Sequence, residues 1–167
     1  YGLPRIDYLI QNEKKNRDEF FAEYPQACGK KVVLYAPTFR RNMESRWFDI
    51  SKAAGRQNLV IIVKNHPGQH DHYRIDDDNF IYADNWKTLD LLCACDYLIT
   101  DYSAIALEAA ALNKPTYYWI YDYEEYLSNN GLNIDIKKEL GSYAFEHINI
   151  IADNISNEKY IYDEYDK

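Results

Sequence analysis

Short apolar segments that alternate with helical stretches constrain the fold of this chain more than any other feature of its sequence. The clearest segments occupy residues 31–36, 59–63, 97–100 and 116–120, and a weaker one occupies residues 80–82. Their lengths suit strands, and prolines or polar turn residues follow several of them. Strands that alternate with helices at this spacing predict an α/β fold in which helices cover both faces of a parallel sheet.

The stretches between these segments carry the spacing or the starting residues of helices. Asp84 or Asn85 is expected to cap a helix that runs through Leu92 and Cys93. Three further helices are predicted over residues 12–24, 48–54 and 124–128, and a fourth, capped by Ser103, over residues 104–112. A chain of 167 residues suits a single domain with this alternation.

Polar segments follow three of the predicted strands. Ligands of open parallel sheets bind beyond the carboxyl ends of the strands, so these segments are expected to line one binding site. The residues concerned are Thr38 and Arg40 after the first strand, Lys64 and His66 after the second, and Asp101 and Ser103 after the fourth.

The segment around Ser103 joins a strand to a helix. The free N–H groups of the first helical turn and the Ser103 hydroxyl could hold a phosphate, although Ser103 could equally serve as an ordinary helix cap. Asp101 suits orientation of the loop, or of a ligand hydroxyl, better than a phosphate contact. Glu108 lies in the same apolar helix, where it either faces solvent or accepts hydrogen bonds from two adjacent hydroxyls, as on a ribose.

Several cations and histidines could act on a bound anion. Arg40 could clamp a phosphate and Lys64 could serve the same anion, although either could be a surface cation. His66 could donate to a pyrophosphate oxygen or act as a general acid, or it could be a loop residue without a role. His70 and His72 lie in a very polar loop without metal-ligand spacing, so solvent exposure is expected and no metal site is predicted.

Composition narrows the partners and the compartment. The formal net charge of −8 and the absence of a long basic block argue against nucleic-acid binding. Cys93 and Cys95 lie in an apolar stretch and are expected to be buried, reduced thiols of a cytosolic protein. The 17 tyrosines are interpreted as part of the core and the amphipathic surface rather than as an aromatic binding platform. No Gly-rich dinucleotide fingerprint, P-loop or serine nucleophile elbow is present.

Taken together, short motifs along most of the chain resemble the carboxy-terminal domain of the CDP-glycerol glycerophosphotransferase family. Residues 2–9 (G-L-P-R-I-D-Y-L) are similar to the segment that joins the two domains of these enzymes, and residues 34–40 (L-Y-A-P-T-F-R) to their first strand and loop. Residues 64–67 (K-N-H-P) resemble the histidine-proline motif, and residues 99–105 (I-T-D-Y-S-A-I) the T-D-Y-S-S signature. Residues 112–115 (L-N-K-P) and 121–127 (Y-D-Y-E-E-Y-L) resemble the region that follows the signature and closes the domain in this family.

The resemblance implies the fold, the reaction and the roles of individual residues. It implies a Rossmann-like domain, the C-terminal half of a GT-B-type transferase, with residues 1–10 as an inter-domain linker of a larger enzyme. The donor would be CDP-glycerol or a related CDP-polyol, whose polyol phosphate passes to an acceptor hydroxyl with release of CMP in teichoic-acid or capsule synthesis. His66 would contact and protonate the donor phosphates. The donor pocket would be lined by Thr38, Arg40, Lys64, Asp101, Ser103, Ala104 and Glu108.

The resemblance also implies partners that the present residues do not include. The proton acceptor and the lipid-linked polymer acceptor would belong to an N-terminal domain, and a requirement for a divalent cation such as Mg²⁺ in the full enzyme stays open. The full-length enzyme would lie at the inner face of the bacterial cell membrane, and the domain alone is expected to be inactive. The identity of the polyol and a primase or polymerase role are not decided by the residues.

Two departures from the family motifs leave alternatives open. Ala104 replaces the second serine of the signature and Ile6 replaces the linker asparagine, and the first departure bears on donor identity. A GT-B glycosyltransferase or epimerase that uses a nucleotide sugar would place its pocket at the same sheet edge. A non-catalytic degenerate module would bind no nucleotide, and retention of His66, Arg40 and Glu108 speaks against it.

Overall fold

The fold is a six-stranded parallel sheet, as a computed structural model of the chain describes it for residues 4–38, 49–51, 53, 58–64 and 74–160. The strand order is β3-β2-β1-β4-β5-β6, and every neighbouring pair is parallel. The strands are β1 (Lys31–Tyr35), β2 (Leu59–Val63), β3 (Phe80–Ile81), β4 (Tyr97–Thr100), β5 (Thr116–Trp119) and β6 (Ala144–Phe145). All five strands expected from the apolar segments are confirmed, and β6 was not predicted.

Burial on both faces explains why the central strands read as continuous apolar runs. All five residues of β2 and four of the five residues of β1 are buried. The two strands pair in register, with Lys31 opposite Leu59 and Tyr35 opposite Val63. On its other side β1 pairs with β4, with Val33 opposite Tyr97, so β1 and β4 are the two central strands of the sheet.

Six helices with described bounds surround the sheet. They are α1 (Pro4–Glu23), α2 (Thr88–Ala94), α3 (Ile105–Ala111), α4 (Tyr123–Asn130), α5 (Ile136–Glu139) and α6 (Ile148–Ser156). A short 3-10 turn over Pro25–Ala27 follows α1. Of the helix predicted over residues 48–54, the described residues 49–51 and 53 are helical.

Helix starts differ from the sequence prediction at two places. Helix α1 begins at Pro4, eight residues before the predicted start at residue 12, because a proline fits the first helical position and has no N–H to leave unpaired. Helix α2 begins at Thr88 with Lys87 at its cap position and no side-chain cap, so the expected caps Asp84 and Asn85 are wrong. Packing of the apolar face therefore sets the start of α2.

The two faces of the sheet carry separate apolar cores. On one face, α1, α2 and α3 cover Val32, Leu34 and Leu98. The first of these helices is fixed by Arg17, whose Nη1 donates to the Ala94 carbonyl at 2.7 Å and whose Nη2 lies 2.8 Å from Asp96 Oδ1. The opposite face packs against the C-terminal helix α6, and its core contains Tyr117, Tyr118, Trp119, Tyr123 and Tyr143. Several tyrosines thus belong to the core, as expected.

Segments after residue 131 complete the sheet edge, and none of them was predicted. Asp135 caps α5 by accepting from the Lys138 backbone N–H, and it also accepts from the Tyr123 hydroxyl at 3.0 Å. These hydrogen bonds lower the pKa of the Asp135 carboxyl below its usual value. At the far end, Lys31 Nζ donates to the carbonyls of Ile155 and Ser156 at 3.0 and 3.1 Å, which stabilises the C-terminus of α6.

The three cysteines differ in accessibility, which makes the fold testable with a thiol reagent. Cys28 is exposed, whereas Cys93 and Cys95 are buried, as predicted for the last two. Burial raises the pKa of the Cys95 thiol to about 12 and that of Cys93 above its usual value. We expect rapid labelling of one thiol per folded chain near pH 8, and of all three after denaturation.

Substitution of the exposed thiol is the control for this labelling experiment. A Cys28→Ser chain should show no rapid phase. Rapid labelling of a second thiol in the folded chain would contradict the packing of α1 and α2 against the sheet.

Within the described residues, no helix is both long and apolar enough to cross a membrane.

Candidate functional site

The candidate site lies where the strand order reverses, at the carboxyl ends of β1 and β4. The chain leaves β1 toward one side of the sheet and β4 toward the other, so a crevice opens between the loops that follow them. The Ala36 N–H donates to the Ile99 carbonyl at 3.0 Å, and the Thr100 hydroxyl donates to the Ala36 carbonyl at 2.8 Å. These bonds fix the mouth of the crevice to the sheet.

Asp101 joins the two loops at the crevice. Its side chain is 3% exposed, and Oδ1 accepts from the backbone N–H groups of Thr38 at 2.8 Å and Tyr102 at 2.6 Å. The same oxygen also accepts from the Thr38 hydroxyl. Asp101 therefore orients the loop, which was one of the two roles expected for it. Thr38 and Asp101 hold the crevice wall and are not among the residues that line the adjacent cleft.

A cleft of about 310 Å³ lies next to this loop pair. Four of the residues expected at the donor pocket lie on its surface, and these are Lys64, Ser103, Ala104 and Glu108. Two aliphatic residues of the loop after β1 and three residues of α2 and α3 also contribute, and these are Ala36, Pro37, Thr88, Leu89 and Ile105. The last lining residue is Arg5, from the first turn of α1.

Glu108 forms a buried acidic group in the cleft. Its side chain is 4% exposed, and Oε1 lies 2.7 Å from Nε of Arg5. Oε2 is buried and has no hydrogen-bond partner among the described residues. Of the two alternatives given for Glu108, exposure to solvent is wrong, because α3 turns its Glu108 face inward and leaves Leu107 66% exposed. A buried acceptor without a partner is costly, so this oxygen is suited to accept from a ligand.

Lys64 brings a second cation to the cleft. The residue follows β2, and its backbone N–H donates to the Tyr35 carbonyl at 3.2 Å. Its Nζ donates to the Asp84 carbonyl at 3.0 Å, which holds the side chain across the loop after β3. An ammonium group can donate three hydrogen bonds, so Lys64 can retain this anchor and still contact an anion.

Ser103 and Ala104 form the rim of the cleft at the start of α3. Ser103 Oγ accepts from the Ile105 N–H at 3.5 Å, which is a long bond. The helix has no side-chain cap, so the predicted cap at Ser103 is wrong. The helix proper begins at Ile105, with Ala104 at the cap position. The Ser103 hydroxyl proton is not used in this bond, so the hydroxyl can donate to a ligand oxygen at the rim.

Two expected site residues lie outside the described part of the chain. These are Arg40, after β1, and His66, after β2. His70 and His72, for which solvent exposure was expected, also lie outside the described part. Their predicted roles therefore stay predictions. The described cleft contains the flanking residues Lys64 and Pro37 on the same two connections.

Arg5 is the charged cleft residue that the sequence motifs indicated only as part of the linker motif. A signal was present, because a cation in the first turn of a helix lies at the positive end of the helix dipole. Such a position is unfavourable unless the side chain has another partner. Its location after Pro4, the first residue of α1, could have indicated a role outside the helix.

The fold is that of a Rossmann-like domain, and its cleft lies at the topological switch point, where ligands of such domains bind. The sequence profile of the family described as CDP-Glycerol:Poly(glycerophosphate) glycerophosphotransferase matches residues 1–167. The chain belongs to this family. The resemblance inferred from the short motifs is thereby confirmed over the whole sequence.

Known proteins of teichoic acid synthesis are similar to this chain. The teichoic acid ribitol-phosphate primase of Bacillus spizizenii is 33% identical over 138 residues, which cover 75% of this chain and 36% of the primase. The teichoic acid glycerol-phosphate primase of Bacillus subtilis is 35% identical over 139 residues, which cover 78% of this chain and 35% of the primase. The chain thus spans about a third of the length of the curated relatives it matches.

A solved structure supports the fold assignment. The wall teichoic acid polymerase TagF, in a histidine variant soaked with CDPG, aligns with a TM-score of 0.78 at 24% identity. The alignment covers 99% of this chain and 45% of that chain. The similarity confirms the expected fold class, a Rossmann-like parallel sheet with helices on both faces.

Proposed function

We propose that this chain binds the nucleotide of a CDP-polyol and serves as the donor half of a polyol-phosphate transferase. CDP-glycerol, or a related CDP-polyol, is the donor, and the polyol phosphate passes to an acceptor hydroxyl. Family membership and the teichoic acid primases among the relatives support a reaction of this class. The CDPG soak of TagF supports a cytidine diphosphate donor.

One observation carries the proposal, and it is the buried Glu108 carboxylate in the cleft. An unpartnered carboxylate oxygen on a residue that lines a cleft suits the hydroxyl groups of a sugar, which can donate to it. Arg5 and Lys64 line the same cleft and give it an excess of positive charge among the described residues. Hydroxyl recognition beside positive charge fits a nucleoside diphosphate better than a neutral ligand.

In the proposed reaction, the acceptor hydroxyl oxygen attacks the phosphorus that carries the polyol. The bond between this phosphorus and the bridging oxygen of the phosphoanhydride breaks, and CMP leaves with the electron pair of that bond. His66 donates a proton to the leaving phosphate, while Lys64 and Arg40 stabilise the charge that develops on it. The acceptor's proton passes to a base outside this domain.

The remaining parts of the proposal concern the whole protein. A second, N-terminal domain would bind the lipid-linked acceptor and supply the base, and residues 1–10 would connect the two domains. Residues 4–10 form the first turns of α1 here. The protein would work in teichoic-acid or capsule synthesis at the inner face of the cell membrane.

Calorimetric titration tests the donor assignment. We expect CDP-glycerol and CDP to bind this chain more tightly than CMP, and more tightly than a UDP-sugar. His66→Ala should weaken binding of CDP-glycerol by about tenfold, because the variant loses a charge-assisted hydrogen bond to the phosphates. Binding of CMP, which lacks the second phosphate, should change less.

A second histidine provides the matched control. His147 is exposed and precedes α6, far along the chain from the cleft, so His147→Ala should bind CDP-glycerol like the unsubstituted chain. Preference for the UDP-sugar would replace the proposal with a nucleotide-sugar transferase. Absence of binding by all four ligands would contradict the proposal and favour a non-catalytic module.

A further inference from the structure

Arg5 occupies a position in the cleft that neither the helix nor the stability of the fold explains. The residue belongs to the first turn of α1, where the helix dipole disfavours a cation. Its side chain is 52% exposed and stays largely hydrated, whereas the side chain of its partner Glu108 is only 4% exposed. A role in the cleft accounts for its placement better than a role in folding.

The geometry of the Arg5 contact divides the work of the two Glu108 oxygens. Nε of Arg5 lies 2.7 Å from Oε1, whereas Oε2 has no partner among the described residues. A carboxylate is free to rotate about its last torsion unless one of its oxygens is fixed. Arg5 supplies that fixation, and it leaves the second oxygen for a hydroxyl that enters the cleft.

Other contacts already hold α1 in place, so Arg5 is not required for docking of the helix. Arg17 bonds the Ala94 carbonyl and Asp96, and Glu13 lies 2.8 Å from Nζ of Lys114. Lys64, the other described cation of the cleft, is anchored on the Asp84 carbonyl. Among the described residues that line the cleft, Arg5 is thus the cation that contacts Glu108, and docking of α1 does not depend on this contact.

We propose that Arg5 is a positioning residue that orients Glu108 to recognise the ribose hydroxyls of the bound nucleotide. The inference rests on the proposed nucleotide-binding function and adds a specificity to it. The site prefers ribonucleotides over 2′-deoxyribonucleotides, and this preference depends on Arg5. Arg5 acts through the carboxylate and does not touch the phosphates.

Paired titrations with CDP and 2′-deoxy-CDP separate this role from phosphate binding. The unsubstituted chain should prefer CDP by about tenfold, the effect of one hydrogen bond to a charged acceptor. In Arg5→Met the preference should fall to about twofold, because CDP binding weakens and 2′-deoxy-CDP binding changes little. Glu108→Gln should reduce the preference similarly, and the Arg5→Met/Glu108→Gln double variant should show no further reduction.

Two further variants of α1 complete the experiment. Arg17→Met removes an arginine–carboxylate pair from the same helix, at a residue that does not line the cleft. This variant should keep the preference of about tenfold for CDP over 2′-deoxy-CDP even if its stability falls. Arg5→Lys retains the charge and should recover part of the preference that Arg5→Met loses. Circular dichroism confirms that each variant is folded before it is titrated.

The outcomes distinguish failure of the inference from failure of the proposed function. An equal loss of affinity for CDP and 2′-deoxy-CDP in Arg5→Met would assign Arg5 to the phosphates and overturn the inference alone. An unchanged preference in Arg5→Met would also overturn it. Absence of CDP binding by the unsubstituted chain would overturn the proposed function and the inference with it.

Discussion

Replacement of Glu108 with leucine is expected to weaken CDP binding by about a hundredfold without loss of the fold. The carboxylate is the acceptor that the proposed site offers to the sugar, and leucine offers none. Each ligand hydroxyl that donates to the carboxylate would lose a hydrogen bond to a charged acceptor, which is worth roughly 1.5–3 kcal/mol. Calorimetric titration of CDP into the variant measures the loss.

The stability of the same variant carries the second half of this prediction. Glu108 is a buried carboxylate whose Oε2 has no partner in the described residues, so the empty site bears a desolvation cost. Leucine has a similar size and no such cost, while Arg5 is exposed enough to remain hydrated. We expect the free energy of unfolding in urea to stay within about 1 kcal/mol of the unsubstituted value, or to rise.

A glutamate outside the cleft provides the control. Glu125 is exposed in the first turn of α4, and Glu125→Leu should leave CDP binding unchanged. A large loss of stability in Glu108→Leu together with unchanged CDP binding would identify the Arg5–Glu108 pair as a structural contact. The combination of lost binding and retained stability is typical of a residue kept for function.

The strands were predictable because burial on both faces leaves a simple signature. All residues of β2 are buried, and its sequence is a continuous run of apolar side chains. The edge strand β6 has two residues, Ala144 and Phe145, and carries no such run. Helix α6 could have been found, because Ile148, Ile151 and Ile155 repeat at helical spacing and are buried.

The orientation of α3 was not predictable from its own residues. An Ala-rich helix is apolar all round, so its sequence does not indicate which side faces the sheet. The structure buries Glu108 and exposes Leu107, the reverse of what polarity suggests. The partner that makes this orientation acceptable is Arg5, about a hundred residues earlier in the chain, and periodicity carries no information about such a contact.

The convergence of the site, by contrast, followed from topology. Residues after β1, β2 and β4 meet because parallel strands end at one edge of the sheet. Lys64, Ser103 and Glu108 lie on one cleft as expected. Thr38 and Asp101 instead bond each other, because the conformation of the two loops brings them together, and spacing in the sequence does not determine that conformation.

Substitution of Asp101 by alanine is expected to lower the free energy of unfolding by about 3 kcal/mol and to abolish CDP binding. One buried carboxylate oxygen accepts from the backbone N–H groups of Thr38 and Tyr102 and from the Thr38 hydroxyl. Alanine removes this acceptor from part-buried donors, and the loops after β1 and β4 lose the group that joins them. Urea unfolding measures the stability, and calorimetry measures CDP binding below the unfolding transition.

Graded variants separate the tie between the loops from a direct contact with the donor. Asp101→Asn keeps an acceptor oxygen of the same shape, and Thr38→Val removes only the hydroxyl, so each should cost about 1 kcal/mol. Asp76→Ala, at an exposed position after β2, should cost little and serves as the control. If Asp101 positions the loops, CDP affinity should fall in step with stability across Asp101→Asn, Thr38→Val and Asp101→Ala. Lost affinity in Asp101→Asn at full stability would instead assign Asp101 to the donor itself, because only a direct contact would distinguish a carboxylate from an amide of equal shape.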